Sequence, residues 1–211
     1  IDITEPDTPK AAGFIPVEGE PTSVVFLGNK IVAAVDASKL FFQPEGHLVT
    51  IDIATRKVVE SCNLQGQPDS IALDKLGRNI VVVLENQRDE GLNKGALPQL
   101  PAGNVTILPI KNGSPDCTGA HPVNLTGLAE IAPTDPEPEF VKVNDKGLAV
   151  VSLQENNHLV LIDVAKPRRT LLHGQSWGGM VATRAAELFP KSWDGILLTS
   201  AVVAGPATYD F

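Results

Sequence analysis

The sequence lacks any stretch that approaches the ~18 consecutive apolar residues expected of a membrane-spanning helix. It also lacks a positively charged start followed by an apolar run, the pattern of a secretory signal peptide, because it opens with Ile1, Asp2 and Ile3. Basic residues are outnumbered, 17 against 25 acidic ones, and the formal net charge is -8. This charge argues against nucleic acid or an anionic membrane as the main partner. We therefore predict a protein with no membrane span and no nucleic-acid partner.

Cysteine and histidine are scarce, at 2 and 4 residues, and the sequence has neither a Cys/His zinc motif nor a phosphate-binding P-loop. Cys62 and Cys117 can form a disulfide in an exported protein or remain two buried thiols, and the sequence leaves both open. Asn-X-Ser/Thr triplets at Asn104, Asn112 and Asn124 give mild support for export. A secreted or periplasmic location is therefore expected.

What the sequence does contain is an internal repeat. A β-rich run that starts next to a proline, a glycine-containing turn and a second β-rich run recur at residues 20–35, 67–84 and 137–153. Each copy has the pattern of a β-hairpin. Pro21 and Pro68 lie 47 residues apart, which is close to the length of a four-stranded propeller blade. The third copy is delayed by two insertions rich in proline, glycine and polar residues.

A second β-rich unit follows each hairpin, and its copies at residues 47–54 and 158–165 match closely. His47 and His158 occupy equivalent positions in these copies, which favours a structural role for both. Short strands separated by regular turns predict antiparallel sheets that bury their faces by stacking on one another. We therefore predict a mainly β fold with an incomplete β-propeller of about three blades over residues 1–165. A β-sandwich is the alternative.

The third copy carries the most specific motifs, at residues 137–141, 153–158 and 162–164. They resemble the blade motif of secreted bacterial propellers of the phytase-like and choice-of-anchor kinds, and the resemblance covers roughly residues 1–165. It makes calcium a candidate cofactor, because carboxylates supply the hard oxygen ligands that calcium prefers. The candidate ligands are Glu137, Glu139 and Glu155. A solvated acidic loop is the alternative interpretation.

After Ala165 the pattern changes. A short apolar strand begins at Thr170, an amphipathic helix is predicted for residues 180–189, and a buried strand is predicted for residues 195–203. Residues 166–211 are therefore predicted to form a C-terminal α/β piece with the order strand, elbow, helix, strand.

Residues 174–178 read Gly-Gln-Ser-Trp-Gly and fit the G-x-S-x-G motif, with a predicted strand before it and a helix after it. Residues 169–205 resemble the nucleophile elbow of the α/β-hydrolases. The resemblance implies that Ser176 is a nucleophile and that the Trp177 N–H donates to an oxyanion. It implies that Gly174, Gly178 and Gly179 are structural elbow positions. It also implies that His173 and Gln175 line the substrate pocket.

The predicted elbow lacks its catalytic partners in this sequence. A serine nucleophile needs a general base and a group that orients the base, and in this family both follow the serine. No histidine follows Ser176, and the acidic residues that do, Glu187, Asp194 and Asp210, are poorly placed. A further chain or a missing segment would have to complete the triad and the propeller.

The predicted function is therefore that of a serine-hydrolase-related protein of the esterase or peptidase type. It would act on a small-molecule ester or peptide substrate without a required cofactor, with a propeller ahead of the catalytic piece as in the similarly ordered prolyl oligopeptidases. One alternative is a non-catalytic binding propeller, or a metal-dependent phytase-like phosphoester hydrolase. The sequence can also be a fragment or a composite of two proteins, or residues 166–211 can simply cap the propeller. Packing of residues 170–190 as a further blade strand would favour the alternatives without a serine nucleophile.

Overall fold

The computed structural model describes residues 1–165, 170–175 and 195–199, and these residues form three consecutive sheets. We call the sheets blades 1, 2 and 3. Blade 1 contains β1 (Glu20–Leu27), β2 (Lys30–Asp36), β3 (Gly46–Asp52) and β4 (Lys57–Leu64). Blade 2 contains β5 (Pro68–Leu73), β6 (Asn79–Leu84), β7 (Asn104–Lys111), β8 (Ser114–Pro115) and β9 (His121–Asn124). Blade 3 contains β10 (Pro138–Val143), β11 (Leu148–Leu153), β12 (His158–Asp163), β13 (Thr170–Gln175) and β14 (Gly195–Thr199).

The sequence repeat is the blade repeat. Each predicted hairpin is the first strand pair of a blade, and the pairing register shifts directly after Pro21, Pro68 and Pro138. Proline has no backbone N–H to give to the ladder, so a local irregularity is expected there. His47 and His158 also lie in equivalent register, opposite Val35 and Leu153. The prediction of a mainly β fold with about three propeller-like blades is confirmed.

Blade packing explains the long apolar run in β6. On one face, Ile80 and Val82 pack against Val32 and Leu48 of blade 1. On the other face, Val81 belongs to a buried apolar cluster that includes residues of blade 3. Because blade 2 lies between two blades, β6 is buried on both faces, and its sequence is a continuous apolar run rather than an alternating one.

The outer face of blade 1 is also covered. Ile15 and Val17, from the segment before β1, pack on a cluster that includes Val35 and Val49. The guanidinium of Arg56 donates to the carbonyl of Ala12 at 2.8 Å and fixes this segment to the blade. The N-terminal segment therefore occupies the face that another blade occupies on blade 2.

Cys62 and Cys117 form a disulfide, which resolves the question that the sequence left open. Cys62 lies on β4 of blade 1, and Cys117 begins a single 3-10 turn, Cys117–Gly119, in blade 2. The bond therefore crosslinks two blades, and the cysteines are 55 residues apart in sequence.

The two strands predicted at the C-terminal end are present, and both belong to the sheet of blade 3. β13 pairs antiparallel with β12, and β14 pairs parallel with β13, from Leu171 opposite Gly195 to Gln175 opposite Thr199. β13 thus takes the place of a fourth blade strand. The predicted helix at residues 180–189 lies outside the described residues. Within the described ranges, no helix is long and apolar enough to cross a membrane.

Candidate functional site at the acidic end of the blades

The two ends of the blades differ in the length of their loops. The end at which the first strands of the blades begin carries the longer connections, at residues 37–45, 85–103 and 125–137, together with the four-residue turn at 154–157. The opposite end carries the connection at 112–120, which contains β8 and the 3-10 turn, and otherwise tight turns, in which Gly28, Gly77 and Gly147 adopt positive φ angles that favour glycine. Binding residues concentrate on long loops held by a rigid scaffold. We therefore call the first end the long-loop end and treat it as the candidate site.

Carboxyl groups from two blades gather at the long-loop end. Asp69 and Glu139 each follow the proline that starts the first strand of their blade, and Glu85 follows β6. The equivalent residue of blade 1 is Thr22, whose hydroxyl donates to the carbonyl of Pro68 at 2.9 Å. Within the described part of the chain, none of the salt bridges involves Asp69, Glu85 or Glu139. This cluster is therefore a concentration of negative charge without a compensating basic side chain in that part.

Burial and mutual repulsion change how these carboxyls ionise. Burial, together with the charges of Glu139 and Asp69, raises the pKa of Glu85 to about 8. Burial also raises the pKa of Asp69 to about 6, with contributions from Glu139 and Asp36. Groups that resist ionisation in this way are candidates for functional sites. Near neutral pH Glu85 therefore holds a proton that a cation can displace.

A largely buried ion-pair network lies at the same end of the blades as this cluster. The Nε atom of Arg88 lies 2.7 Å from Oδ2 of Asp135 and 3.3 Å from Oε1 of Glu137. The backbone N–H of Arg88 also donates to Glu137 at 2.8 Å, and its Nη2 donates to the Asp135 carbonyl at 2.9 Å. Burial nevertheless raises the pKa of Glu137 to about 7, against the lowering effect of Arg88. The network fixes the loop after β6 to the start of blade 3.

The three candidate calcium ligands lie in different surroundings. Glu137 is buried in the ion-pair network, Glu139 belongs to the acidic cluster, and Glu155 is exposed on the loop after β11. Among the residues that the structure describes, no three Asp, Glu, His or Cys side chains are grouped closely enough to hold a metal ion. Calcium binding therefore remains a prediction.

Two buried asparagines at the long-loop end were not singled out from the sequence. The Asn156 side chain accepts from the Glu137 N–H at 2.9 Å and donates to the carbonyls of Ile131, Ala132 and Asp135. Asn86 does the same in blade 2, where it accepts from the Gln67 N–H at 2.9 Å. In each case the amide ties a long connection to the start of a first strand. This explains why the motif at residues 153–158 is specific.

Replacement of Asn156 by alanine should lower the free energy of unfolding by about 3 kcal/mol, because the buried Glu137 N–H and three carbonyls lose their partner. Urea denaturation measures the change. Asn63→Ala, at an exposed position on β4, is the matched control and should change stability by less than about 0.5 kcal/mol. Equal effects of the two substitutions would contradict the capping role.

The predicted hydrolase residues fall mostly outside the described part of the chain. Ser176, Trp177, Gly178 and Gly179 lie outside it, whereas His173, Gly174 and Gln175 form the end of β13. The strand predicted to begin at Thr170 therefore extends through these three residues, which were predicted as pocket and elbow positions. Their catalytic and pocket roles remain predictions.

Comparison with known proteins identifies the family. The Choice-of-anchor I domain matches residues 1–177, which is most of the 211-residue chain. The chain belongs to the choice-of-anchor I family. No curated protein matches it. The match to this family includes β13 and extends through Trp177, and the comparisons give no support for an α/β-hydrolase segment.

Several solved structures are similar to this chain. Kuenenia stuttgartiensis hydrazine synthase matches 68% of this chain and 39% of its own, at 19% identity and a TM-score of 0.48. The Dos1 propeller matches 69% of this chain and 31% of its own, at 14% identity and a TM-score of 0.42. The GH74 enzyme of Niastella koreensis matches 68% of this chain and 22% of its own, at 13% identity and a TM-score of 0.44. The choice-of-anchor I chain thus spans well under half the length of these structures.

The family and the disulfide together indicate an extracellular, surface-anchored protein. Disulfides persist in oxidising compartments outside the cytosol. The expectation of an exported protein is therefore confirmed at this level.

Proposed function

We propose that this choice-of-anchor I chain forms part of a binding β-propeller, secreted or periplasmic, and that its long-loop end binds a cationic ligand. The observation that carries the proposal is the cluster of Asp69, Glu85 and Glu139, which has no salt bridge in the described residues. The charges of neighbouring carboxyls in this cluster repel one another, and a cation placed among them would offset the repulsion and displace the proton that Glu85 holds near neutral pH. Calcium is one cation of this class, and an organic ammonium group is another.

Proton and cation binding at this cluster should oppose each other. Because the pKa of Glu85 is raised from 4.5 to about 8, the folded protein gains stability from protonation that is complete below about pH 4.5 and lost as the pH rises through about 8. After a discount for the partial exposure of Glu85, we expect the loss to be about 1–2 kcal/mol. CaCl2 or spermidine should restore this stability at pH 8 and add little at pH 5.

Thermal unfolding at both pH values tests the proposal, with NaCl at equal ionic strength as the solvent control. Glu85→Gln should flatten the pH dependence and reduce the stabilisation by cations. Glu5→Gln, at an exposed position of the N-terminal segment, is the matched control and should leave both unchanged. If NaCl stabilises the wild type as well as CaCl2 and spermidine do, the cluster is not a cation site.

A serine hydrolase is the second candidate function, and the parallel pairing of β13 and β14 favours it. A parallel pair requires a crossover connection, and residues 176–194 supply one of sufficient length that begins with Ser176. The rest of a longer protein would have to supply the general base. Labelling by a fluorophosphonate probe that disappears in Ser176→Ala would support this candidate. Absence of labelling in the folded protein would argue against it.

A further inference from the structure

The long-loop end combines its acidic cluster with exposed apolar side chains. We propose that it docks a polypeptide segment in which Lys or Arg side chains are flanked by large apolar side chains. This inference rests on the proposed function, since it names the class of cationic ligand.

The apolar side chains come from all three of the longest loops at this end. The loop at residues 37–45 exposes three in succession, the loop at 85–103 exposes two, and the connection at 125–137 exposes one. The exposed fractions are 47% for Leu40, 45% for Phe41, 41% for Phe42, 44% for Leu97, 69% for Leu100 and 50% for Ile131. Single exposed apolar residues are ordinary, but several on long loops at the same end as a group of carboxyls can form an interaction surface.

The loop that carries the two phenylalanines is held in one conformation. The Ala37 N–H donates to the Glu45 carbonyl at 2.9 Å, and the Gln43 N–H donates to the Leu40 carbonyl at 3.0 Å. The Ser38 hydroxyl closes the base of the loop, accepting from the Glu45 N–H at 2.9 Å and donating to its carbonyl at 3.1 Å. Phe41 and Phe42 therefore project from a closed hairpin loop. A preformed loop loses little conformational entropy when a partner binds.

The loop at residues 85–103 is fixed in a similar way. The Gln99 side chain accepts from the Asp89 N–H at 2.7 Å and donates to the Asp89 carbonyl at 2.9 Å. The Gln99 N–H donates to Asp135 at 3.2 Å, which connects this loop to the Arg88 network. Leu97 and Leu100 flank this anchored residue. Their exposure is therefore a property of an ordered surface.

Charge complementarity selects the partner. The end carries Asp69, Glu85 and Glu139 between loops from different blades, so an anionic lipid surface or a nucleic acid would be repelled. A metal ion would leave the apolar side chains exposed, and among the described residues no three carboxyls are grouped closely enough to hold one. A basic polypeptide segment with flanking Leu or Phe side chains matches both features, because cationic groups meet the carboxyls while apolar groups cover the rim.

Fluorescence anisotropy with a dye-labelled peptide of alternating Arg and Leu tests the inference. The peptide should bind the wild-type chain at low salt. It should bind the double variant Phe41→Ser/Phe42→Ser at least about tenfold more weakly, and the same is expected of the separate variant Glu85→Gln. Leu76→Ser, at a site 66% exposed on the opposite end, should bind as the wild type does. Circular dichroism melting checks that each variant is folded.

Three results would overturn the inference. The first is equal binding of a peptide in which Ser replaces Leu, and the second is undiminished binding by the folded double variant. The third is binding of phosphatidylcholine vesicles through Phe41 and Phe42 without binding of the peptide. Stabilisation by spermidine without peptide binding would remove this inference and leave the proposed cation site intact, whereas failure of both ligands would remove both.

Discussion

Reduction of the disulfide between Cys62 and Cys117 should lower the free energy of unfolding by about 4 kcal/mol. The bond closes a loop across 55 residues of sequence. In the chain-entropy treatment, a crosslink over a loop of this length removes about that much freedom from the unfolded chain. The effect is large relative to the roughly 5–15 kcal/mol by which folded domains are usually stable.

Urea denaturation of the same protein with and without a reducing agent measures this effect without any change of side chain. The double variant Cys62→Ala/Cys117→Ala should be at least as unstable as the reduced wild type and insensitive to reducing agent. Cys62 is buried with the apolar residues between blades 1 and 2, so its replacement also removes packing. Coincident denaturation curves for the oxidised and reduced protein would show that the crosslink contributes nothing.

Replacement of Arg88 by methionine should lower the free energy of unfolding by about 3–5 kcal/mol, because it leaves two buried carboxyls without their cation. The side chains of Asp135 and Glu137 are each only 4% exposed. Methionine keeps most of the volume of the arginine stem, so the loss is mainly electrostatic. Arg78→Met is the matched control, since Arg78 is 60% exposed and its contact with Asp74 is long, at 3.9 Å; we expect less than about 1 kcal/mol there.

The pH dependence of the Arg88 variant separates charge from packing. Burial already raises the pKa of Glu137 from 4.5 to about 7, and loss of Arg88 removes an effect that lowers it. In the variant the pKa of Glu137 therefore lies above about 7, and protonation removes the unpaired charge. The deficit of the variant should shrink as the pH falls from alkaline values to about 7 and should stay constant below that. Combination with Glu137→Gln should recover part of the lost stability at pH 8. A deficit that is the same at pH 5 and pH 8 would mean that packing, not charge, explains the loss.

The blades were predictable because their signals are local. Alternating or continuous apolar runs, glycine turns and a proline at each start all lie within one hairpin, and they recur in copies such as 67–84 and 137–153. The run in β6 was correctly recognised as a strand. Its continuous apolar run is consistent with burial on two faces, but which blades cover those faces depends on stacking and could not be read from its own residues.

The acidic cluster was only partly predictable for the opposite reason. The resemblance indicated Glu139, but Asp69 and Glu85 lie in another blade and approach it only when the blades stack. Alignment of the repeats offered a signal, since the residue after the blade proline is Thr22 in one copy and acidic in the other two. The contact between Arg88 and Asp135 spans an insertion and has no such signal.

The position of blade 2 has a consequence for how the molecule fluctuates. In a stacked array each unit draws its stability from its neighbours, so a unit with two neighbours opens less often than one at the end. Blade 2 is enclosed on both faces, whereas Leu159 on blade 3 is 39% exposed at the position where Leu48 of blade 1 is 1% exposed. Backbone amides of β6 should therefore exchange their protons with solvent later than those of β12, which carries Leu159. The cation site that we propose would then join blade 2, whose amides exchange slowest, to blade 3, whose amides exchange faster.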